Sequence, residues 1–480
     1  MTLLRPFQSG LLRQGAVRTM GGLGAIAKPA ARYAQTRSFV ASSVRRDSEA
    51  QPKESLASAS EMHDKLPVPY GPNQLPPFLP NPRNGNYFTV DNPNRVLECI
   101  RPLAPNHRYK GRSFSNIWLR DNCRCEQCVY PPTRQRLANT FDIPDDIHAL
   151  RHSESVQGVH IEWSDGHTSF YEWEFLRWWM MFTSREAYNQ PPRYLWGSEI
   201  AQHPPTVDYQ AAMTTEAGVA QMTDKIVKYG FVFVKNVPYD NPDYTRQLLE
   251  RIGPIRQTHY GGFYDFIPDM AKADTAYTNY AIPAHTDTTY FSDPAGLQSF
   301  HLLEHKPAPG ETEAVGGESL LVDGFKVAEL LRNFKLDYYY HLAKMPVMWH
   351  CSGNDGVTIR PYKLFPVIEE DKFLRIPIRI RWNTADRGVL PYTSSWRSQK
   401  DWWRAAKKFD ELLKDPANEY KFQLKPGTVL IFNNWRVLHG RTAFTGIRRI
   451  CGGYINFDDF MSTWRNTNFK QEVVLRDVIG

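Results

Sequence analysis

What most limits the folds open to this chain is a series of short apolar runs in its second half, each closed by glycine, proline or asparagine. They read LQSFHLLEH (297–305), ESLLVDGF (318–325), LRIPIRIRWN (374–383), GTVLIFNNWRVLHG (427–440) and RRICGGYINF (448–457). Runs of this length, rich in β-branched and aromatic residues and bounded by turn formers, are strands. Upstream, MTDKIVKYGFVFVKNVP (222–238) reads as a helix leading into a buried strand. Many short strands with helices between them predict a sandwich or barrel with helices packed outside, an α+β chain that is mainly β. PAPGETEAVGG (307–317) reads as an exposed loop, and no internal repeat is visible.

The 480 residues allow more than one domain. No apolar run approaches the roughly 20 residues of a membrane span. The net charge of +7 is uneven: Arg5, Arg13, Arg18, Lys28, Arg32, Arg37, Arg45 and Arg46 precede the first acidic residue. Residues 1–46 therefore read as a mitochondrial presequence rather than a plain basic tail, which places the protein in the matrix. The remainder holds 50 basic against 51 acidic residues, so charge gives no reason to expect a nucleic-acid partner. Residues 47–95 contain nine prolines and read as a linker. Residues 96–200 form an aromatic-rich amino-terminal unit, in which VHIEWSDGHTSFY (159–171) predicts a hairpin and EWEFLRWWMMF (172–182) a helix. Residues 201–480 carry the strand-rich unit.

Two clusters of ligand-type residues stand out. Cys123, Cys125 and Cys128 fall within the stretch WLRDNCRCEQC. Three thiols so close cannot all form disulfides, whereas tetrahedral zinc accepts Cys₃His. His148, His152, His160 and His167 all follow; His167, just after the hairpin turn, is the expected fourth ligand. Such a closed shell is structural.

The second cluster begins in IPAHTDTTYF (282–291), where His285 and Asp287 are two apart and share one face of a strand. His-x-acid alone is weak, since HSE and HIE occur at 152–154 and 160–162. His439, at the end of the apolar run from Gly427, supplies a third ligand. Two histidines and a carboxylate make the facial triad of non-haem Fe(II) oxygenases, with three positions open. A 2-oxo acid could chelate there, and its far carboxylate would need an arginine fork. Alternation in RRICGGYINF sends Arg448, Ile450, Gly452 and Tyr454 to one face, with Gly452 clearing space under the cosubstrate; Arg441 is a second candidate.

The stretches AYTNYAIPAHTDTTYF, GLQSFHLLEH, LLVDGF and NNWRVLHGRTAFTG, with the Cys-x-Cys-x-x-Cys and the later DGH, resemble the gamma-butyrobetaine dioxygenase family, in its trimethyllysine-hydroxylating branch. The resemblance covers about 96–470. It implies a double-stranded β-helix (jelly-roll) catalytic core with flanking helices, preceded by a small zinc-binding β-rich domain. It implies iron on His285, Asp287 and His439, 2-oxoglutarate on Arg441 and Arg448, zinc on Cys123, Cys125, Cys128 and His167, and ascorbate to keep the iron reduced. It further implies an aromatic cage for a quaternary ammonium at Tyr260, Tyr264, Tyr277 and Tyr454. Tyr264 stands where relatives usually carry tryptophan. Asp274 would pair with a substrate α-ammonium, and Asn383 would hold the substrate carboxylate. The implied reaction is C3 hydroxylation of N6,N6,N6-trimethyllysine with O₂, coupled to decarboxylation of 2-oxoglutarate, as the first step of carnitine biosynthesis by a homodimer. The rivals are gamma-butyrobetaine hydroxylation and a non-catalytic binding protein built on the same two units.

Overall fold

A computed structural model describes residues 114–181, 193–267, 278–353, 355–371, 374–391, 396–476 and 478, all within one compact unit. The expected presequence and linker, and the site candidates Asp274 and Tyr277, lie outside the described residues.

The elements used below follow in chain order. In the amino-terminal region α1 is Asn116–Asp121, β1 Ala149–Glu154, β2 Gly158–Trp163, β3 Thr168–Glu172 and α2 Trp173–Met181. Then come β4 (Thr206–Asp208), α3 (Glu216–Tyr229), β5 (Phe231–Lys235), β6 (Tyr264–Phe266), β7 (Ile282–His285), β8 (Leu297–Lys306) and β9 (Ser319–Asp323). After these lie α4 (Gly324–Phe334), α5 (Leu336–Lys344), β10 (Ile368–Glu370), β11 (Pro377–Ile380), α6 (Trp396–Leu413) and β12 (Glu419–Phe422). The chain ends through β13 (Thr428–Asn433), β14 (Val437–Arg441), β15 (Ile447–Gly452), β16 (Tyr454–Ile455) and α7 (Phe457–Asn468).

Two sheets form the larger part. A seven-stranded sheet runs β4-β5-β13-β8-β15-β6, with β16 also on β8, and a four-stranded sheet runs β12-β9-β14-β7. Period-two alternation explains their faces. On β5 and β13, Phe231, Phe233, Leu430 and Phe432 point inward to meet Leu321, Tyr420 and Val437 of the smaller sheet. Val232, Val234, Val429 and Ile431 point the other way, onto Met222 and Ile226 of α3 and Phe460 and Trp464 of α7. The smaller sheet is backed by α4, α5 and α6 through Leu320, Val322, Leu438, Leu331, Leu342 and Phe409. Both faces are covered, which is why these strands read as unbroken apolar runs. Each such side chain contributes about 1.5–3 kcal/mol on burial.

The expected helix-to-strand entry at 222–238 is present. Thr215 caps α3 by accepting from Gly218 N at 2.9 Å, and α3 ends on Gly230 at φ 82°. A Cβ at Gly230 would sit 2.6 Å from Val437, so both conformation and space demand glycine there. The 427–440 run departs from expectation. It is two strands, not one, and its turn carries the chain from the large sheet to the small one. Asn433 makes the turn, its Oδ1 accepting from Trp435 N at 2.9 Å. The corner is held by Arg436, fully buried against Asp323 at 2.7 Å and donating to the Lys228 and Tyr194 carbonyls.

The amino-terminal region is a β1-β2-β3 sheet against α1 and α2. The hairpin and helix fall where expected. Gly166 turns the hairpin at φ 80°, and Val159, Ile161 and Trp163 alternate inward onto Leu119, Tyr171 and Leu176. Arg476 reaches Glu174 of α2 at 2.7 Å. No helix among the described residues is long and apolar enough to cross a membrane.

Candidate active site

His285 and His439 meet because they are register partners across β7 and β14. Their rings lie 4.3 Å apart between centroids. Asp287 joins them, its Oδ1 3.1 Å from His285 Nε2 and 3.9 Å from His439 Nε2. One ligand atom from each of the three lies within 4.8 Å of the others. Metal–ligand bonds of about 2 Å at right angles would separate neighbouring donors by roughly 3 Å, so this spacing fits one ion.

The two early ligands do not share one strand as the sequence suggests. Strand β7 stops at His285, and Asp287 lies in the turn after it. Thr288 follows at φ 57°, strained for a β-branched residue. That turn is held from outside. Asn434 accepts from Asp287 N at 2.8 Å and donates to the Asp287 and Ala295 carbonyls at 2.9 and 3.0 Å. Arg381, fully buried, donates to the Thr289, Phe291 and Ser292 carbonyls and to Glu369.

The electrostatics suit a cation. His285 Nδ1 faces the Pro283 carbonyl at 2.9 Å, which makes it the donor and leaves the Nε2 lone pair for a metal. Burial holds His439 down to about 3, so its imidazole stays neutral; the rings of Phe300 and Phe432 flank it. Burial opposes ionisation of Asp287, yet the hydrogen bonds to His285, which the carboxylate raises in turn, and to Tyr454 hold it well below the usual carboxylate range. Its second oxygen, Oδ2, accepts from Gln298 Nε2 at 2.6 Å and from the Tyr454 hydroxyl at 2.8 Å. A buried carboxylate beside two imidazoles, with a metal in place of the proton between His285 Nε2 and Asp287, is a donor set that fits Fe(II).

Beside it lie two buried cations. Arg441 donates to the Thr278 and Tyr280 carbonyls at 2.6 and 3.2 Å. Arg448 is 5% exposed, and both guanidiniums lie against Phe444. Among the described residues neither has a carboxylate partner, and the Nε of each is buried without a hydrogen bond. Burial lowers Arg441 to about 10; burial together with Arg441 lowers Arg448 to about 9. An uncompensated buried charge costs about 3–5 kcal/mol, so the pair is suited to an anion. The neighbouring Arg449 points outward instead and pairs with Asp265 at 2.5 Å.

The remaining candidates divide. Tyr264 and Tyr454 stand edge to face, 6.0 Å apart, and Tyr264 donates to the Ser299 carbonyl at 2.6 Å. Gly452 does not clear room for a cosubstrate. A Cβ there would meet the Ser299 carbonyl at 2.1 Å and the Tyr264 hydroxyl at 2.8 Å, so its space is taken by β8 and β6. The Tyr260 ring is tilted against that of His259, centroids 3.9 Å apart, with its hydroxyl 3.9 Å from Cys351 Sγ. Asn383 accepts from Ala385 N at 3.0 Å in a local turn. Gln298, Asn434 and Arg381 were not singled out from sequence. Gln298 could have been: it is a lone amide at an inward position of an apolar strand. Arg381 and Asn434 act through backbone carbonyls far along the chain, which no local pattern signals.

Away from this site, His167 Nε2 lies 3.2, 3.5 and 3.5 Å from the Cys123, Cys125 and Cys128 sulfurs, and none of the three cysteines is in a disulfide. Burial and the charge of Cys123 push the Cys128 thiol up to about 12, so three thiolates would not coexist here without a cation. Asp165 orients the loop, accepting from His167 N at 3.0 Å and from Arg120 at 2.7 Å.

Comparison with known proteins follows this division. Residues 188–454 match the taurine catabolism dioxygenase TauD, TfdA family, and residues 108–177 match a gamma-butyrobetaine hydroxylase-like amino-terminal family. The trimethyllysine dioxygenase of Neurospora crassa is 51% identical over 76% of this chain and 83% of its own length. That of Meyerozyma guilliermondii is 40% identical over 75% and 92%. The bovine protein, named trimethyllysine dioxygenase, mitochondrial, is 37% identical over 78% and 88%. With that similarity running through both regions, the chain belongs to the trimethyllysine dioxygenases of the TauD, TfdA family.

Proposed function

We propose that this protein hydroxylates N6,N6,N6-trimethyllysine at C3 while decarboxylating 2-oxoglutarate to succinate, opening carnitine biosynthesis. The observation that carries the reading is the His285–Asp287–His439 cluster, followed on β14 and β15 by two buried arginines with no carboxylate partner among the described residues. Family membership supports the choice of substrate. In this reading the two sheets form a double-stranded β-helix, and domains span 96–200 and 201–480.

His285, Asp287 and His439 would hold Fe(II), and Arg448 with Arg441 would take the far carboxylate of 2-oxoglutarate. When bound, the iron and cosubstrate supply the O₂ activation that the side chains cannot. The protein supplies position. Tyr260, Tyr264, Tyr277 and Tyr454 would face the trimethylammonium, which cannot donate hydrogen bonds and is held by ring faces. Asp274 would meet the α-ammonium and Asn383 the α-carboxylate, fixing one C–H bond at the metal. Phe300 and Phe432 beside His439 help keep water out. Ascorbate would maintain the ferrous state. Cys123, Cys125, Cys128 and His167 would bind structural zinc, and residues 1–46 would direct the protein to the mitochondrial matrix. A homodimer belongs to the same family-based reading.

The test is a single assay. Full-length protein with Fe(II), ascorbate, 2-oxoglutarate and trimethyllysine should yield succinate and a substrate heavier by one oxygen, read by mass spectrometry. Preferential turnover of gamma-butyrobetaine would overturn the substrate, and absence of succinate with either would leave the binding-protein alternative.

A further inference from the structure

We propose that Gln298 and Tyr454 are positioning residues that hold the second oxygen of Asp287 off the metal, so that this carboxylate ligates through Oδ1 alone. The inference rests on the triad being a metal site. Gln298 and Tyr454 are register partners across β8 and β16, so their side chains leave the large sheet together on one face. Both are buried, and both donate to the same atom, Asp287 Oδ2, at 2.6 and 2.8 Å. Oδ1 is left facing the two histidines. The histidines come from the smaller sheet and the restraint on the carboxylate from the larger one.

Gln298 carries a sign of what it is kept for. Its Oε1 is buried with no partner among the described residues, so the amide serves as a donor, and its acceptor goes unused. The other amide orientation would set an oxygen against the Asp287 carboxylate. A carboxylate whose second oxygen is free can swing to bind through both. Of six positions around a metal it would then occupy two, leaving two open where a chelating 2-oxo acid and O₂ require three.

Tyr454 thus has a role separate from any contact its ring makes with a cation, and Tyr454→Phe divides the two. Phenylalanine keeps a ring face and loses the donor. Gln298→Glu keeps the volume and replaces the donor by a like charge. Manganese(II) affinity, read by calorimetry on the full chain without substrate, is the first readout; the thermal midpoint without metal checks the fold. We expect Tyr454→Phe to weaken manganese binding about tenfold and Gln298→Glu by up to about a hundredfold. With iron supplied, Tyr454→Phe should lower kcat and release more succinate per hydroxylated product, while the substrate KM holds. Manganese affinity equal to that of the unaltered chain in both folded variants would overturn the proposal. So would a Tyr454→Phe variant changed only in substrate KM, since the tyrosine would then be a wall for the substrate alone. Failure of the unaltered chain to bind manganese at all would remove the metal-site reading beneath both.

Discussion

The two donor clusters of this molecule are assembled in opposite ways. The cysteine cluster draws on Cys123, Cys125, Cys128 and His167, with three donors on one loop and the fourth at a hairpin turn. The triad draws on His285, Asp287 and His439, on a sheet edge, in a strained turn and on a central strand. Four sulfur and nitrogen donors would close a tetrahedral shell around an ion and leave nothing for substrate. Three nitrogen and oxygen donors on one side leave room, and the guanidiniums of Arg441 and Arg448 have no carboxylate partner among the described residues. A closed site stabilises what surrounds it; an open one is stabilised by what surrounds it. The differing supports follow: Asp165 and the Trp163 backbone, both local, orient the His167 loop, whereas Asn434, Arg381, Gln298 and Tyr454 converge on Asp287 and its turn from afar.

That contrast can be broken by experiment. Its largest expected consequence lies in the cysteine region. Metal binding of this type carries about 10–16 kcal/mol of apparent free energy, nearly all of it spent on folding. Cys128→Ser, or a strong chelator, should therefore unfold 114–181 as a cooperative step, visible as loss of hydrogen-exchange protection in β1 to β3. Chelation that empties only the triad should leave the melting of the large sheet nearly unchanged. Equal thermal effects from emptying either cluster would erase the distinction.

Next comes the anion seat. Arg448→Met deletes a buried cation able to make two charge-assisted bonds, each worth about 1.5–3 kcal/mol. The KM for 2-oxoglutarate should rise on the order of a thousandfold, against little change in manganese affinity. Arg449→Met, one residue along and paired outward with Asp265, should leave both close to the parent values. A similar loss from both variants would mean that alternation on β15 does not govern this site.

The smallest effect is in acid. His301 on β8 is fully buried between Thr245 and Gly427 N, and burial holds it down to about 4. The unfolded chain takes a proton near 6.5 that the native chain refuses until about 4, so stability falls as pH drops through that window. The loss amounts to about 3 kcal/mol, complete below pH 4. His301→Asn should flatten this limb in urea titrations of the large sheet. An unchanged slope would assign the acid sensitivity elsewhere.

Much of this was legible beforehand, and the reasons differ by element. The hairpin at 159–171 and the helix-to-strand entry at 222–238 are local: alternation, an Asp-Gly turn and an apolar run after a glycine state them without help. The three cysteines are readable for the same reason, since they share one loop, whereas spacing alone leaves His167 one of four candidate histidines. The triad was legible as a set of residue types and by resemblance, yet two local inferences around it failed. His285 and Asp287 were placed on one strand, and Gly427–Gly440 was read as a single strand, because alternation says nothing of where a strand stops. Alternation likewise offers Gly452 to the cosubstrate, because nothing local signals that Tyr264 and the Ser299 carbonyl pack against it.

The amino-acid sequence by itself showed the main apolar runs, the donor types and the family resemblance, because turns and alternation act within a few residues and family motifs are strings. Only the tertiary structure decided who meets whom. His285 finds His439, and Gln298 finds Tyr454, through strand register, which is set by packing of both faces at once. That is a property of the closed pair of sheets, and no short stretch of chain carries it.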